Sequence, residues 1–387
     1  QAPFRVITAA ELLAGVEPAR DLEPLEPWDI AMMIYTSGTT GPSKGVLLTW
    51  TQVHVACRNA IPADDFDETD VYYSPFPMVH ASGRAGMLTM AQCGGRIVIR
   101  DRFSATHYWE DITTHGCTTT AIIGAMAAFL WAQPTSTDDA KNSLKRALMM
   151  PLVPHYEAFE ERFGLQLTTC YGMTEVPIVF SAHWDITDPM SCGVVCEGFE
   201  VRLVDEHDYE VPVGQIGELI VRHRDPWVLC QGYFGMPDKT AEAWRNGWFH
   251  TGDAFRVDEL GRYYFVDRFK DAIRRRGENI SSFEVEALVS AHPGVLESAA
   301  IPVPSEWGED EVKVCVVRAD PALTEEQLIR DLITTMPGFM VPRYIEFTDD
   351  LPKTDATQRV KKNLLRVDPL NPSTWDRDAA GINVPKR

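Results

Sequence analysis

The chain has 387 residues, 45% of them hydrophobic and 10% aromatic, so it can bury more than one core, and roughly two or three domains are expected. Its formal net charge of −20 argues against nucleic acid or an anionic membrane surface as partner. No stretch approaches the roughly 18 uncharged apolar residues of a membrane helix, the opening QAPFRVITAA is not a signal peptide, and the eight cysteines are scattered, their one close pair (Cys192, Cys196) lacking zinc-site spacing; a cytoplasmic protein with buried thiols is expected.

The apolar stretch 30–34 predicts a buried strand, and YTSGTTGPSKGV at 35–46 follows at its carboxyl end, where α/β sheets place ligands. Gly38, Gly41 and Gly45 let main-chain N–H groups approach an anion, Thr36, Ser37, Thr39 and Thr40 add hydroxyl donors, and Lys44 supplies a point charge. The run reads as a triphosphate cradle. A Walker-type loop needs a glycine directly before the lysine and a Ser or Thr directly after it, where Ser43 and Gly45 stand. Taken alone, the run also suits a flexible surface loop. Next, the Pro-rich PFPMVHASG at 75–83 sets His80 among apolar neighbours, either as a pocket wall or as a structural histidine.

Segments 96–99 and 119–123 read as strands and 155–163 as a helix, which predicts βαβ units and a largely parallel sheet to about residue 186. YGMTE at 171–175 ends on Glu175. Magnesium takes one or two carboxylates and completes its octahedron with substrate phosphates, so this glutamate is chemically adequate for it; taken in isolation it reads rather as a solvated charge. From 193 the pattern turns to short strands at 200–204, 217–221 and 262–266, which predicts a small β-barrel-like subdomain over 193–269. Within it, WFHTGD at 248–253 places Asp253 to accept hydrogen bonds from both hydroxyls of a ribose, and Arg268 can donate to the same sugar and to a phosphate. An ordinary turn would satisfy TGD as well. Beyond 270, a helix at 282–291, strands at 299–303 and 311–318 and a helix at 324–335 predict a compact α+β unit to 372, followed by a tail over 373–387.

Taken in order, the strings at 35–46, 75–83, 171–175, 248–253, 267–286 and 351–366 resemble the adenylate-forming superfamily of acyl-CoA synthetases, luciferases and peptide-synthetase adenylation domains. Within it, residues 27–366 look most like the crotonobetaine/carnitine-CoA ligase type. The resemblance implies an α/β protein with a large N-terminal domain (1–269) and a small mobile C-terminal domain (270–372). It implies an acid–thiol ligase that makes acyl-CoA from a carboxylic acid, ATP and CoA through an acyl-adenylate. By the same resemblance Glu175 binds magnesium with Thr36 as a further oxygen, and Tyr171, Gly172, Met173 and Thr174 border the nucleotide. His80 gates the carboxylate and the CoA route. Lys270 is the hinge about which the C-terminal domain alternates between an adenylating and a thiol-delivering pose. Gly277, Glu278 and Asn279 would line the pantetheine tunnel, with Arg274, Arg275 and Arg276 either on the CoA phosphates or on a solvated hairpin face. Amino-acid-activating relatives place an aspartate near 75–83 for the substrate ammonium; none follows closely here, which favours an acid without an amino group.

Departures from the family pattern sharpen the expectation. In LPKTDATQRVKK the adenylation lysine of relatives falls on Gln358, or on Arg359 with one residue inserted. Arginine keeps the charge but carries it on a planar, bulky fork, and losing one such electrostatic contact costs about 10²–10³ in rate. Beside the full cycle this opens a sharper alternative, a weak or absent first half-reaction with acyl-AMP supplied by a separate adenylating enzyme. Lys361 and Lys362 are the neighbouring substitutes. Relatives have small residues where Met149 and Met150 stand, so these methionines either fill core or reshape a ligand groove. Relatives also carry a long segment before the phosphate loop where this chain has 34 residues, and a missing N-terminal segment is expected. A nucleotide-holding pseudoenzyme and a luciferase-like monooxygenase are the competing classes.

Overall fold

A computed structural model describes residues 22–36, 43–61, 65–78, 81–153, 155–184, 186–268, 273–275, 278–305, 309–353 and 360–384. Ile30–Thr36 (β1) and Lys44–Thr49 (β2) form an antiparallel hairpin with Ile34 opposite Val46 and Thr36 opposite Lys44. The strand expected at 30–34 is present, but it does not feed the parallel sheet. Alternation at the end of β1 leaves Ile34 buried between exposed Met33 and Tyr35, and Ile30, before a register shift, is exposed as well. Ile34, Val46 and Leu48 pack instead into one core with Phe199, Phe249 and Phe255, so the phosphate-loop hairpin rides on the antiparallel half of the molecule. Thr49 ends β2 and caps the helix Trp50–Ala60, its hydroxyl accepting from Gln52 N at 3.0 Å.

The βα alternation predicted to residue 186 is realised by Val71–Ser74 (β3), Arg96–Ile99 (β4), Thr119–Ile123 (β5), Arg146–Met150 (β6) and Gln166–Thr168 (β7), all parallel in the order β4-β3-β5-β6-β7. Strand β3 is buried at all four positions and β5 at four of five, as strands covered by helices on both faces must be. The helices Tyr108–His115 and Tyr156–Phe163 end on Gly116 and Gly164 in left-handed caps, and their Tyr108, Phe159 and Phe163 fill the core beneath the sheet with Tyr73.

Antiparallel pairing takes over after β7. Cys170–Tyr171 (β8), Phe180–Ser181 (β9) and Val194–Val195 (β10) make a small sheet. Phe199–Val204 (β11), Ile216–His223 (β12), Trp244–Arg245 (β13), Trp248–Val257 (β14) and Tyr263–Arg268 (β15) make a five-stranded one, with β13 and β15 both pairing β14. This antiparallel sheet occupies the span of the barrel-like subdomain expected over 193–269, and Cys192 N donating to Tyr263 O at 2.8 Å and Tyr263 N to Gly193 O at 3.1 Å bring the small sheet beside β15.

Ile273–Arg275 (β16) and Glu278–Ile280 (β17) form a hairpin leading into the helix Ser282–Ser290, whose N-cap is Ser281. The C-terminal unit is a sheet of Val295–Pro304 (β18), Asp310–Arg318 (β19), Tyr344–Thr348 (β20) and Trp375–Asp376 (β21), packed against the helix Glu325–Thr335. Residues 373–384 are therefore not a tail. Strand β21 pairs β20, Ile382 is buried in the same core, and Arg377 donates to Val341 O and Pro342 O at 3.3 and 3.2 Å. Buried Lys313 holds the approach to β21 through Pro369 O and Thr374 Oγ1 at 2.7 and 2.9 Å. Among the described residues no helix is long and apolar enough to cross a membrane.

Ending the chain at residue 372 is expected to destabilise the C-terminal unit by more than about 2 kcal/mol, the cost of losing one buried isoleucine side chain alone. Calorimetry reads it as a lower Tm, where a true tail would leave Tm unchanged.

Candidate functional site

The turn 172–178 joins β8 to β9 and sets the first anchor. Met173 N donates to Val176 O at 2.9 Å and Val179 N to Tyr171 O at 2.9 Å, folding YGMTE back on itself. Gly172 is required here, since a Cβ would lie 2.9 Å from Ile178 Cδ1 and 3.0 Å from Pro177 O. Glu175 is carried to the apex of this turn and is 6% exposed. Burial pushes its carboxyl above the ordinary carboxylate range, opposed by its own backbone N–H, by the Tyr233 hydroxyl and by the charges of Lys44 and Arg268.

Lys44 arrives from the other side. It opens β2 directly opposite Thr36, and its Nζ lies 4.3 Å from the centroid of the Tyr233 ring. Tyr233 in turn donates from its hydroxyl to Glu175 Oε1 at 3.1 Å. Gly45 lets the hairpin pack closely, because a Cβ there would sit 2.8 Å from Met33 Sδ. Gln52, on the helix that follows β2, ties the two anchors together. Its Nε2 donates to Thr174 O and Glu175 O at 2.9 and 3.2 Å, and its Oε1 is buried with no partner among the described residues.

Thr36 and Glu175 are hard oxygen donors, and Gln52, whose amide nitrogen donates to Glu175 O, keeps its Oε1 buried without a partner among the described residues. This donor set suits magnesium, which binds through one or two carboxylates with substrate phosphates as remaining ligands. Among the described residues no group of three or more His, Cys, Asp or Glu side chains is arranged to hold a metal alone.

A second corner forms around Asp253, which is 5% exposed. Tyr171 Oη donates to Asp253 Oδ2 at 2.7 Å across 82 residues of sequence, and Arg268 Nε lies 3.4 Å from Oδ1, its residue being the register partner of Asp253 between β14 and β15. Gly252, at φ 70°, turns the chain just before Asp253, and its N–H donates to Glu218 Oε1 at 3.0 Å. The other Glu218 oxygen meets His250 Nδ1 at 3.0 Å and Arg245 at 3.6 Å, so Asp253 is fixed from below by a charged network. The Tyr171 ring packs edge-on against Phe255 at 4.7 Å.

The structure thus brings together Thr36, Lys44, Tyr171, Gly172, Met173, Thr174, Glu175, Asp253 and Arg268 in two adjoining anchors. Ser37, Gly38, Thr39, Thr40, His80, Lys270, Arg276, Gly277 and Arg359 lie outside the described residues, as does Gln358; Glu278 opens β17. Two expectations are corrected. Arg275 does not face CoA phosphates: it is 3% exposed, its Nε lies 2.7 Å from Glu311 Oε2, and its Nη1 donates to Phe339 O at 2.8 Å. Lys362 is no ready substitute for the adenylation lysine, since its Nζ lies 2.8 Å from Glu286 Oε1 and donates to Ser282 Oγ. Of the two methionines, Met149 is fully buried core, while Met150 Sδ lies 3.1 Å from Cys170 Sγ, next to the start of YGMTE. Sequence reasoning missed Tyr233, Gln52 and Glu218. Only the Gly-Tyr step at 232–233 carries a local signal, a glycine whose Cβ would lie 2.5 Å from Thr240 Cγ2.

Residues 4–234 match the family model described as AMP-binding enzyme, and residues 284–357 match the one described as AMP-binding enzyme C-terminal domain. Over 348 residues the chain is 33% identical to a crotonobetaine/carnitine–CoA ligase of Salmonella arizonae, covering 88% of this chain and 67% of that protein. Its fold is similar to the crystal structure of ATP-bound MatB from Rhodopseudomonas palustris, with TM-score 0.82, 28% identity, and 94% of this chain and 72% of that one covered. It is also similar in fold to a benzoate CoA ligase from Burkholderia xenovorans, with TM-score 0.81, 24% identity, and 92% and 72% covered.

Replacing Arg275 by alanine leaves the Glu311 carboxylate buried without its partner and is expected to cost about 3–5 kcal/mol of stability. The Tm of the C-terminal unit falls, while the KM for CoA, measured where the variant remains folded, stays at the wild-type value. A raised KM for CoA with unchanged Tm would restore the phosphate role.

Proposed function

This chain belongs to the AMP-binding enzyme family, and from that premise we propose that it is an acyl-CoA synthetase working through an acyl-adenylate. The observation that carries the reading is the meeting of Lys44 and Glu175, 131 residues apart in sequence, on the one side chain of Tyr233. A cation and a carboxylate held on one side chain suit a triphosphate and its metal.

Lys44 and the 37–43 loop hold the phosphates, and Thr36 and Glu175 hold magnesium. When bound, the ion neutralises charge on the phosphate oxygens. Asp253 accepts from the ribose hydroxyls, with Tyr171 and Arg268 fixing the direction of its two oxygens. The substrate carboxylate attacks the α-phosphorus, and pyrophosphate leaves. The CoA thiol then attacks the acyl carbonyl, and AMP leaves. A carboxylic acid without an amino group is the favoured substrate class. In this scheme Glu175 and Lys44 serve the first half-reaction, whereas the Asp253 corner serves both.

With Lys362 held by Glu286, and Gln358 and Arg359 where relatives have a lysine, adenylation is the slower half of the cycle and the enzyme also takes preformed acyl-AMP. The C-terminal unit alternates between two poses about Lys270.

Two outcomes follow. Glu175→Gln is expected to lower ATP-dependent acyl-adenylate formation by about 10²–10³ while conversion of synthetic acyl-AMP to acyl-CoA continues near the wild-type rate; equal loss in both assays removes Glu175 from the metal role. In the unmutated protein, acid-dependent ATP–pyrophosphate exchange should run at least about a hundredfold slower than thioester formation from the matching acyl-AMP. Exchange as fast as thioester formation overturns the assignment of a slow first half.

A further inference from the structure

Residues 231–234 lie along β2 as a third, irregular strand. Gln231 N donates to Leu47 O and Leu47 N to Gly232 O, both at 3.0 Å, and Phe234 N donates to Gly45 O at 2.8 Å. Tyr233 itself bridges Val46, and its N–H donates to Thr240 Oγ1 at 2.9 Å. The backbone of this tyrosine is thus locked to the strand that carries Lys44. Its side chain is 8% exposed, with Lys44 Nζ over the ring face and the hydroxyl on Glu175 Oε1.

We propose that Tyr233 is a positioning residue that sets the separation and orientation of Lys44 and Glu175 before the metal–triphosphate arrives. The proposal rests on the assignment of those two residues to the triphosphate and its metal. A flexible ammonium loses less freedom on binding when an aromatic face already seats it, and a carboxylate with one oxygen held by a hydroxyl presents the other in a fixed direction. Ring and hydroxyl act on different partners. Tyr233→Phe keeps the ring under Lys44 and removes only the tie to Glu175; Tyr233→Leu removes both.

The test is equilibrium binding with no acid present, so no turnover occurs: Mn2+ affinity in the presence of ATP by electron paramagnetic resonance, metal-free ATP affinity, and AMP affinity by calorimetry. Tyr233→Phe is expected to weaken Mn2+ about tenfold and leave metal-free ATP and AMP at wild-type affinity. Tyr233→Leu weakens metal-free ATP as well, and AMP, which is held at the Asp253 corner, stays unchanged in both. Glu175→Gln serves as the reference. If it abolishes the Mn2+ effect of ATP while Tyr233→Phe binds as wild type, the positioning role is overturned; if it leaves Mn2+ affinity intact, the underlying assignment of Glu175 fails instead. Equal loss of AMP binding in Tyr233→Phe would also overturn the proposal, because it would mark a purely structural side chain.

Discussion

Glu175 is a carboxylate withdrawn from water, and most of the architecture around the site follows from the need to keep it there. A buried carboxylate is unfavourable unless hydrogen bonds or opposite charges compensate it. Here the compensation comes from three distant places: Tyr233, the Lys44 end of the hairpin, and Arg268 at the end of β15. Each requires a different element to arrive at the same point. The turn 172–178, the hairpin and the antiparallel sheet are therefore mutually constrained, and Gln52 locks the helix after β2 onto the backbone of the same turn.

The residues proposed to face the nucleotide divide between two supports with different physics. Lys44 and Glu175 sit on short hairpins and are fixed by one aromatic side chain. Asp253 and Arg268 sit on neighbouring strands of an extended sheet, where register alone makes them partners. Glu218, His250 and Arg245 lie beneath that second corner and hold the tight turn at Gly252. In the proposed site the triphosphate end relies on a few contacts, and the ribose end on a whole ladder. Such a division suits a cycle in which pyrophosphate leaves while the adenylate stays.

The C-terminal unit shows the same economy with charge. Arg275, Lys313, Lys353 and Lys362 are each paired with a carboxylate, Glu311, Glu346, Glu297 and Glu286 respectively. Basic residues that look available for anionic ligands are consumed in holding this unit together. A cluster of like charges in sequence says nothing of which members point outward, and Arg275 was misjudged for that reason.

Local chemistry in the sequence alone determined a good deal. The βα alternation, the change to short strands after 193, the helices near 282 and 324, and the candidacy of Lys44, Glu175, Asp253 and Arg268, which the fold brings near one another, were all legible, because hydrophobic period, turn residues and motif order are local properties. Only the tertiary structure decided what depended on contacts far apart in sequence. It turned β1 from a buried parallel strand into a hairpin arm, made the expected tail a strand, buried Arg275 and tied up Lys362. It also showed Tyr233 standing between a lysine 189 residues before it and a glutamate 58 residues before it. Which side chain meets which is set by packing over such separations, and a pattern read along the chain carries no term for it.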